Sequence, residues 1–154
     1  MNIVDNVLLV EDNLSDVQLT LHVIADKNAA CRVHVARDGE QAIERIYGVG
    51  QYAGTPKVVF ELVLLDLKLP KVNGFEVLKH IKDDPATRAL PVVVLSSSNQ
   101  PSDVDTSYEL GANGYVQKPV SYEEFQETIG CITSYWLDVN LGPSNALSRN
   151  VSKD

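Results

Sequence analysis

The sequence predicts a doubly wound α/β fold, one five-stranded parallel sheet with helices on both faces. Three observations predict it. Short, nearly continuous runs of Val and Leu recur along the 154 residues, as expected of strands buried on both faces. Segments with helical spacing separate those runs. Strict alternation of the two requires crossover connections, and crossovers give parallel strands.

The first strand is Val7 to Val10, closed by Glu11 and Asp12. Asn13 is a good cap for a helix whose apolar face is Leu14, Val17, Leu21 and Ile24. Val33 to Ala36, broken by His34, forms the second strand, and Ala42, Ile43 and Ile46 mark the second helix. Gly48 to Phe60 carries Gly50, Gly54 and Pro56 and predicts a long exposed connection. Leu62 to Leu65 is the third strand; Asn73 and Gly74 open a helix faced by Phe75, Val77, Leu78 and Ile81. Val92 to Leu95 is the fourth strand, followed after Pro101 by a weaker stripe of Val104, Tyr108 and Leu110. Tyr115-Val116 is the fifth, and Ser121 starts a last helix with Phe125, Ile129 and Ile132. The arrangement is flavodoxin-like. The expected division is a folded unit over 1–140 and a tail over 141–154, opened by Gly142-Pro143-Ser144-Asn145 and mobile at its end.

Thirteen basic against twenty-one acidic residues give a net charge of -8. That balance opposes binding to phosphate backbones and to anionic membrane surfaces. The amino end has no basic stretch leading into an apolar one, and the longest apolar runs fall far short of the ~20 residues that span a bilayer. A soluble, cytoplasmic protein is expected, with no nucleic acid and no membrane among its partners. Cys31 and Cys131 lack any CxxC spacing and are expected to be two buried thiols. His22, His34 and His80 form no triad or metal spacing, and His22 and His80 should lie on helix surfaces.

In doubly wound sheets, sites form outside the carboxyl ends of the strands near the switch in strand order. Glu11, Asp12 and Asp66 all end strands, and they converge if strands one and three are neighbours. Crowded carboxylates repel unless a cation is present. Mg²⁺, a hard ion that keeps several waters and needs one or two carboxylates, suits such a rim. Taken alone, the acids have capping or solvated strand-end residues as their alternative reading. Strand four ends in Ser96-Ser97-Ser98, and strand five is followed by Lys118-Pro119. A carboxylate acceptor, a metal, a hydroxyl and an ammonium are the parts a phosphoryl group needs.

Glu11-Asp12, Asp66, Ser96 and Lys118-Pro119, in this order at these strand ends, resemble the receiver domain of two-component response regulators, a (βα)5 fold. The resemblance covers roughly Asn6 to Tyr135 and extends to Pro70, Gly74 and Tyr115. It implies that Asp66 accepts a phosphoryl group from a phosphohistidine on a sensor histidine kinase. It implies direct Mg²⁺ ligation by Asp12, Asp66 and the main-chain carbonyl of Lys68, with Glu11 acting through coordinated water. Ser96 and Lys118 would contact the phosphoryl oxygens, and Tyr115 would rotate as the switch that remodels the face of helix four, strand five and helix five. Ser96 stands where threonine is common in the family. Lys118-Pro119 suggests a cis bond, which sequence leaves open.

The connection bearing Tyr52 and Pro56, together with Ile132-Thr133-Ser134-Tyr135-Trp136-Leu137-Asp138, resembles the stand-alone response regulators that partner cyanobacterial phytochromes. That closer likeness implies a phytochrome-type kinase and a homodimer. The dimer would form through the helix 4/strand 5/helix 5 face and the Tyr135 to Leu137 region; packing of Tyr135, Trp136 and Leu137 on their own domain is the alternative. One helix and a tail follow Lys118, so output through protein contacts, with no DNA-binding domain, is expected. Enzymatic activity is not expected. A flavin phosphate would want a loop of donors where Glu11 and Asp12 stand, and an aspartyl-phosphate hydrolase would want an acid where Lys68 stands. A kinase of another type, or a phosphorylation-independent adaptor role, remains the alternative reading.

Overall fold

Period-two burial decides the architecture. In the computed structural model, which describes residues 4–28 and 30–143, alternate residues of each central strand enter two separate apolar clusters. Leu8 and Val10, Val63 and Leu65, and Val92 and Val94 pack on one side of the sheet. Val7 and Leu9, Leu62 and Leu64, and Val93 and Leu95 pack on the other. A strand with both faces covered has no polar face to show, hence the unbroken Val/Leu runs.

The elements alternate without exception: β1 (Asn6–Val10), α1 (Leu14–Lys27), β2 (Arg32–Ala36), α2 (Gly39–Tyr47), β3 (Leu62–Leu65), α3 (Gly74–Asp83), β4 (Val92–Ser96), α4 (Pro101–Glu109), β5 (Gly114–Gln117) and α5 (Tyr122–Thr133). All neighbouring strands are parallel, in the order β2-β1-β3-β4-β5. α1 packs with α5, and α2 and α4 pack on either side of α3. The order reverses between β1 and β3, so their carboxyl ends flank the switch point where the sequence sought chemistry.

Side chains start most of the helices. Asn13, Asp38, Asn73 and Ser121 accept from Asp16 N, Gln41 N, Glu76 N and Glu124 N respectively, each satisfying a backbone donor that the first turn cannot. α4 has no such cap and begins with proline at its first turn. Its expected stripe is only partly used: Ser107 is its one buried residue, and Tyr108 is 51% exposed.

Several expectations need correction. β2 is not buried on both faces, because it is a sheet edge with half-buried Val33, His34 and Val35; β5, the opposite edge, is likewise half-covered. The two cysteines are not both buried: Cys131 is exposed on α5 and Cys31 is half-buried beside the α1/α5 cluster. Cys131 sits one position from the buried stripe of Phe125, Ile129 and Ile132, which rotates it outward. His22 and His80 are exposed, as expected.

The connection from Gly48 to Phe60 is mostly exposed and holds a 3₁₀ turn over Gly50–Tyr52, with the Arg45 guanidinium 4.5 Å above the Tyr52 ring. Beyond α5 the chain continues in a π-helical turn, Ser134–Val139, in which Asn140 N donates to Tyr135 O. Trp136 and Leu137 turn inward onto the α1/α5 cluster and leave Tyr135 48% exposed. The tail expected over 141–154 falls, from residue 144 onward, outside the described residues. Among the described residues no helix is long and apolar enough to cross a membrane.

Candidate phosphoacceptor site

Register brings the site together. Val10 pairs with Leu65, so Glu11 and Asp66, the next residue on each strand, emerge side by side. Asp66 N donates to Val10 O at 3.0 Å and Glu11 N to Ala36 O at 3.0 Å, fixing both main chains. Ser96 pairs with Gln117, and Lys118 N donates to Ser96 O at 2.7 Å. The lysine therefore starts at the same rim, two strands from Asp66. Among the described residues no peptide bond is cis, so Lys118-Pro119 is trans.

The Lys118 ammonium donates to Glu11 Oε1 at 2.5 Å, to Asp16 Oδ2 at 2.9 Å and to Asp66 Oδ2 at 3.3 Å. Its side chain is 9% exposed. Burial works against its charge, but the hydrogen bond to Glu11, the charge of Asp66 and the hydrogen bond to Asp16 outweigh that and hold its pKa above the ordinary value. Glu11 is itself buried. Burial raises its carboxyl to about 7, with nearby Asp66 adding to the rise and Lys118 opposing it. Glu11 Oε2 also accepts from Asn13 N at 3.1 Å, which ties the site to the start of α1.

The other expected residues lie around this centre. Asp12 is exposed at the rim, and its main-chain oxygen accepts from Arg37 Nη2 at 2.7 Å. Lys68 is exposed in the β3–α3 loop, its backbone N 3.4 Å from Asp66 Oδ1. Ser96 is buried, and its hydroxyl accepts from Ser98 N at 3.2 Å. Tyr115 is half-buried against the α2/α3 cluster, and its hydroxyl donates to Ser98 O at 2.8 Å. A cleft of about 300 Å³ runs past Leu67, Lys68, Phe75, Ser96 and Asp103. Gly74 opens α3 so close to the end of β3 that a Cβ there would overlap the Asp66 carbonyl; its N donates to Leu67 O at 2.9 Å.

The carboxylates gathered on the lysine are thus Glu11, Asp66 and Asp16, and sequence reasoning missed the last. Its only signal was an acid three residues after the Asn13 cap, a position that serves a helix dipole equally well. Among the described residues no set of three or more acids, histidines or cysteines forms a ready metal cage. The donor set nevertheless fits a hard divalent ion. It is all oxygen, and even with Glu11 set aside, Asp12, Asp16 and Asp66 against one ammonium leave negative charge in excess. An ion that keeps much of its water needs no closed cage.

The response regulator receiver domain model matches residues 7–130. The chain belongs to the response regulator receiver domain family. It is 37% identical over 132 residues to response regulator Rcp1 of Synechocystis, a match that spans 86% of this chain and 88% of that protein. A crystal structure of the Mn²⁺-bound form of Rcp1 superposes with a TM-score of 0.84 at 36% identity, over 90% of this chain and 99% of that one. The phosphorylated cyanobacterial phytochrome response regulator RcpA superposes with a TM-score of 0.86 at 35% identity, over 92% of this chain and 99% of that one. A probable methanogenesis regulatory protein, FilR2 of Methanothrix harundinacea, is 37% identical over 140 residues, spanning 91% of this chain and 88% of FilR2. The chain is a response regulator of receiver fold homologous to Rcp1, and its family binds a divalent metal.

Proposed function

We propose that this receiver takes a phosphoryl group from a sensor histidine kinase of phytochrome type onto Asp66, with Mg²⁺, and acts by changing a protein-interaction surface rather than by catalysing turnover. The observation that carries the reading is the Lys118 ammonium held between Glu11 and Asp66 at the β1/β3 switch point. In the transfer, a carboxylate oxygen of Asp66 forms a bond to phosphorus as the N–P bond of a phosphohistidine, protonated at its other ring nitrogen, breaks. The nitrogen keeps the electron pair, neutral imidazole leaves, and an acyl phosphate remains. Asp12, Asp66 and the Lys68 carbonyl would hold Mg²⁺, with Glu11 acting through water, and the ion would supply charge neutralisation for the phosphoryl oxygens. Lys118 and Ser96 supply the remaining cation and hydroxyl.

The switch is read in Ser96, Ser98 and Tyr115. Ser96 and Ser98 are joined by a hydrogen bond, and Ser98 O holds the tyrosine hydroxyl. A hydroxyl drawn to the phosphoryl group therefore pulls on the tyrosine's partner, a two-state element biased by a local charge change. The phytochrome assignment draws on the likeness to Rcp1 and RcpA over nearly the whole chain. A homodimer through the face of α4, β5 and α5 is part of the same reading. That face exposes Tyr108, Val120 and Tyr122, with Tyr135 nearby, and aromatic side chains of this kind anchor interfaces. The receiver unit is taken as 1–140 and the extension as 141–154, in a cytoplasmic protein.

The test is phosphotransfer from a panel of phytochrome and other sensor kinases, with acetyl phosphate as a small donor, with and without Mg²⁺. Label on the wild type that needs the metal and disappears in Asp66→Asn is expected. Label persisting on Asp66→Asn would remove the acceptor assignment, and transfer only from kinases of another type would remove the phytochrome one. Molar mass measured before and after phosphorylation tests the dimer, which a monomer in both states would overturn.

A further inference from the structure

The Lys118 ammonium is shared three ways, and one share comes from outside the strand ends. Glu11 and Asp66 follow β1 and β3, whereas Asp16 belongs to the first turn of α1. Its carboxylate is 2.9 Å from Lys118 Nζ, nearer than that of Asp66 at 3.3 Å. It is also 28% exposed, so its charge is weakened but not abolished by water. Its own backbone N is fixed on Asn13 Oδ1 at 3.0 Å, and Asn13 N in turn on Glu11 Oε2. The side chain that reaches the lysine is therefore carried by an anchored turn. An acid serving only the helix dipole would need no lysine contact at all.

We infer that Asp16 is a positioning residue that holds the Lys118 ammonium on the α1 side of the pocket and competes for it with a phosphoryl group on Asp66. The inference rests on the reading of Asp66 as acceptor. Phosphorylation places a new doubly charged group on Asp66, and the ammonium can serve it fully only by giving up part of its contact with Asp16. The same carboxylate adds to the negative field that attracts a dication to the rim. Asp16 thus acts with opposite sign on the two ligands of the pocket, favouring the metal and disfavouring the phosphoryl group.

Titration calorimetry of the full chain tests this with two probes: Mg²⁺ alone, and beryllofluoride, a phosphoryl mimic, at saturating Mg²⁺. Asp16→Asn is expected to bind beryllofluoride about threefold more tightly and Mg²⁺ about twofold more weakly, ratios in the range of a partly exposed ion pair. Asp16→Glu, which restores the charge, should return both values toward wild type. A loosened α1 would weaken both ligands together, so a fall in both overturns the inference, as does an unchanged beryllofluoride affinity. Asp66→Asn separates the two levels. If it still binds beryllofluoride, the acceptor reading has failed; if it does not and Asp16→Asn behaves as wild type, only the role of Asp16 has failed.

Discussion

His34 shows how a single ring can be fixed from both sides. Arg45 Nη2 lies 2.7 Å from its Nδ1, and Asn6 Oδ1 lies 3.0 Å from its Nε2. An arginine can only donate, so Nδ1 accepts and the ring proton sits on Nε2, donated to Asn6. Burial, then the charges of Arg45 and Arg32, lower its pKa from 6.5. The unfolded chain consequently binds more protons as the pH falls below 6.5, so stability from this ring is present above that pH and lost below it. The urea midpoint should fall on acidification through this range, and His34→Gln should flatten that part of the profile. Lys118→Ala makes a second case. It strands Glu11, Asp16 and Asp66 together, and loss of one partner from a buried ion pair costs about 3 kcal/mol. The melting temperature in EDTA should drop, and Mg²⁺ should restore more of it than in wild type.

Glu11, Asp66, Ser96 and Lys118 were legible in the sequence because each ends or follows an apolar run, and strand ends in this topology share one rim. Asp16 was not legible, because helix-start acids look alike until a side chain from beyond β5, far along the chain, reaches them.

Among the elements, the start of α3 sets the β3–α3 loop beside Asp66. Gly39 meets the Val72 carbonyl as Gly74 meets that of Asp66, with no space at either for a Cβ. Gly74→Ala should therefore force the β3–α3 loop away from Asp66 and slow phosphoryl labelling, whereas Asn73→Ala, which removes the cap to Glu76 N and the exposed bond from Asn73 Nδ2 to Glu76 Oε1, should cost about 1 kcal/mol and leave labelling near normal. Urea denaturation and initial labelling rates measure the two effects. The strong apolar stripes of α3 and α5 made those helices readable, with Val77, Leu78 and Ile81 buried in one and Phe125, Ile129 and Ile132 in the other. α4 was faint because Ser107 alone is buried; a helix lying thinly on the sheet leaves little periodic signal. The edge position of β2 was hidden for the opposite reason, since its Val33 and Val35 copy the central-strand pattern while staying half-covered.

For the whole molecule, the sheet divides two cores, and the turn after α5 belongs to one of them. Trp136 and Leu137 extend the α1/α5 cluster, which the sequence could not distinguish from an interface, because an apolar-aromatic cluster looks the same whether its cover is its own domain or another. Trp136→Ala should cost about 1–2 kcal/mol by urea denaturation, below the ~3–5 kcal/mol of a fully buried aromatic, because the indole is only half-covered. Trp136 is also the single tryptophan of the chain, and its indole lies 4.0 Å from where a Cβ on Gly114 would stand, one residue before Tyr115. Nature has placed an intrinsic fluorophore against the strand that carries Tyr115, the proposed switch, so the emission spectrum of the unmodified protein is an optical record of motion at β5.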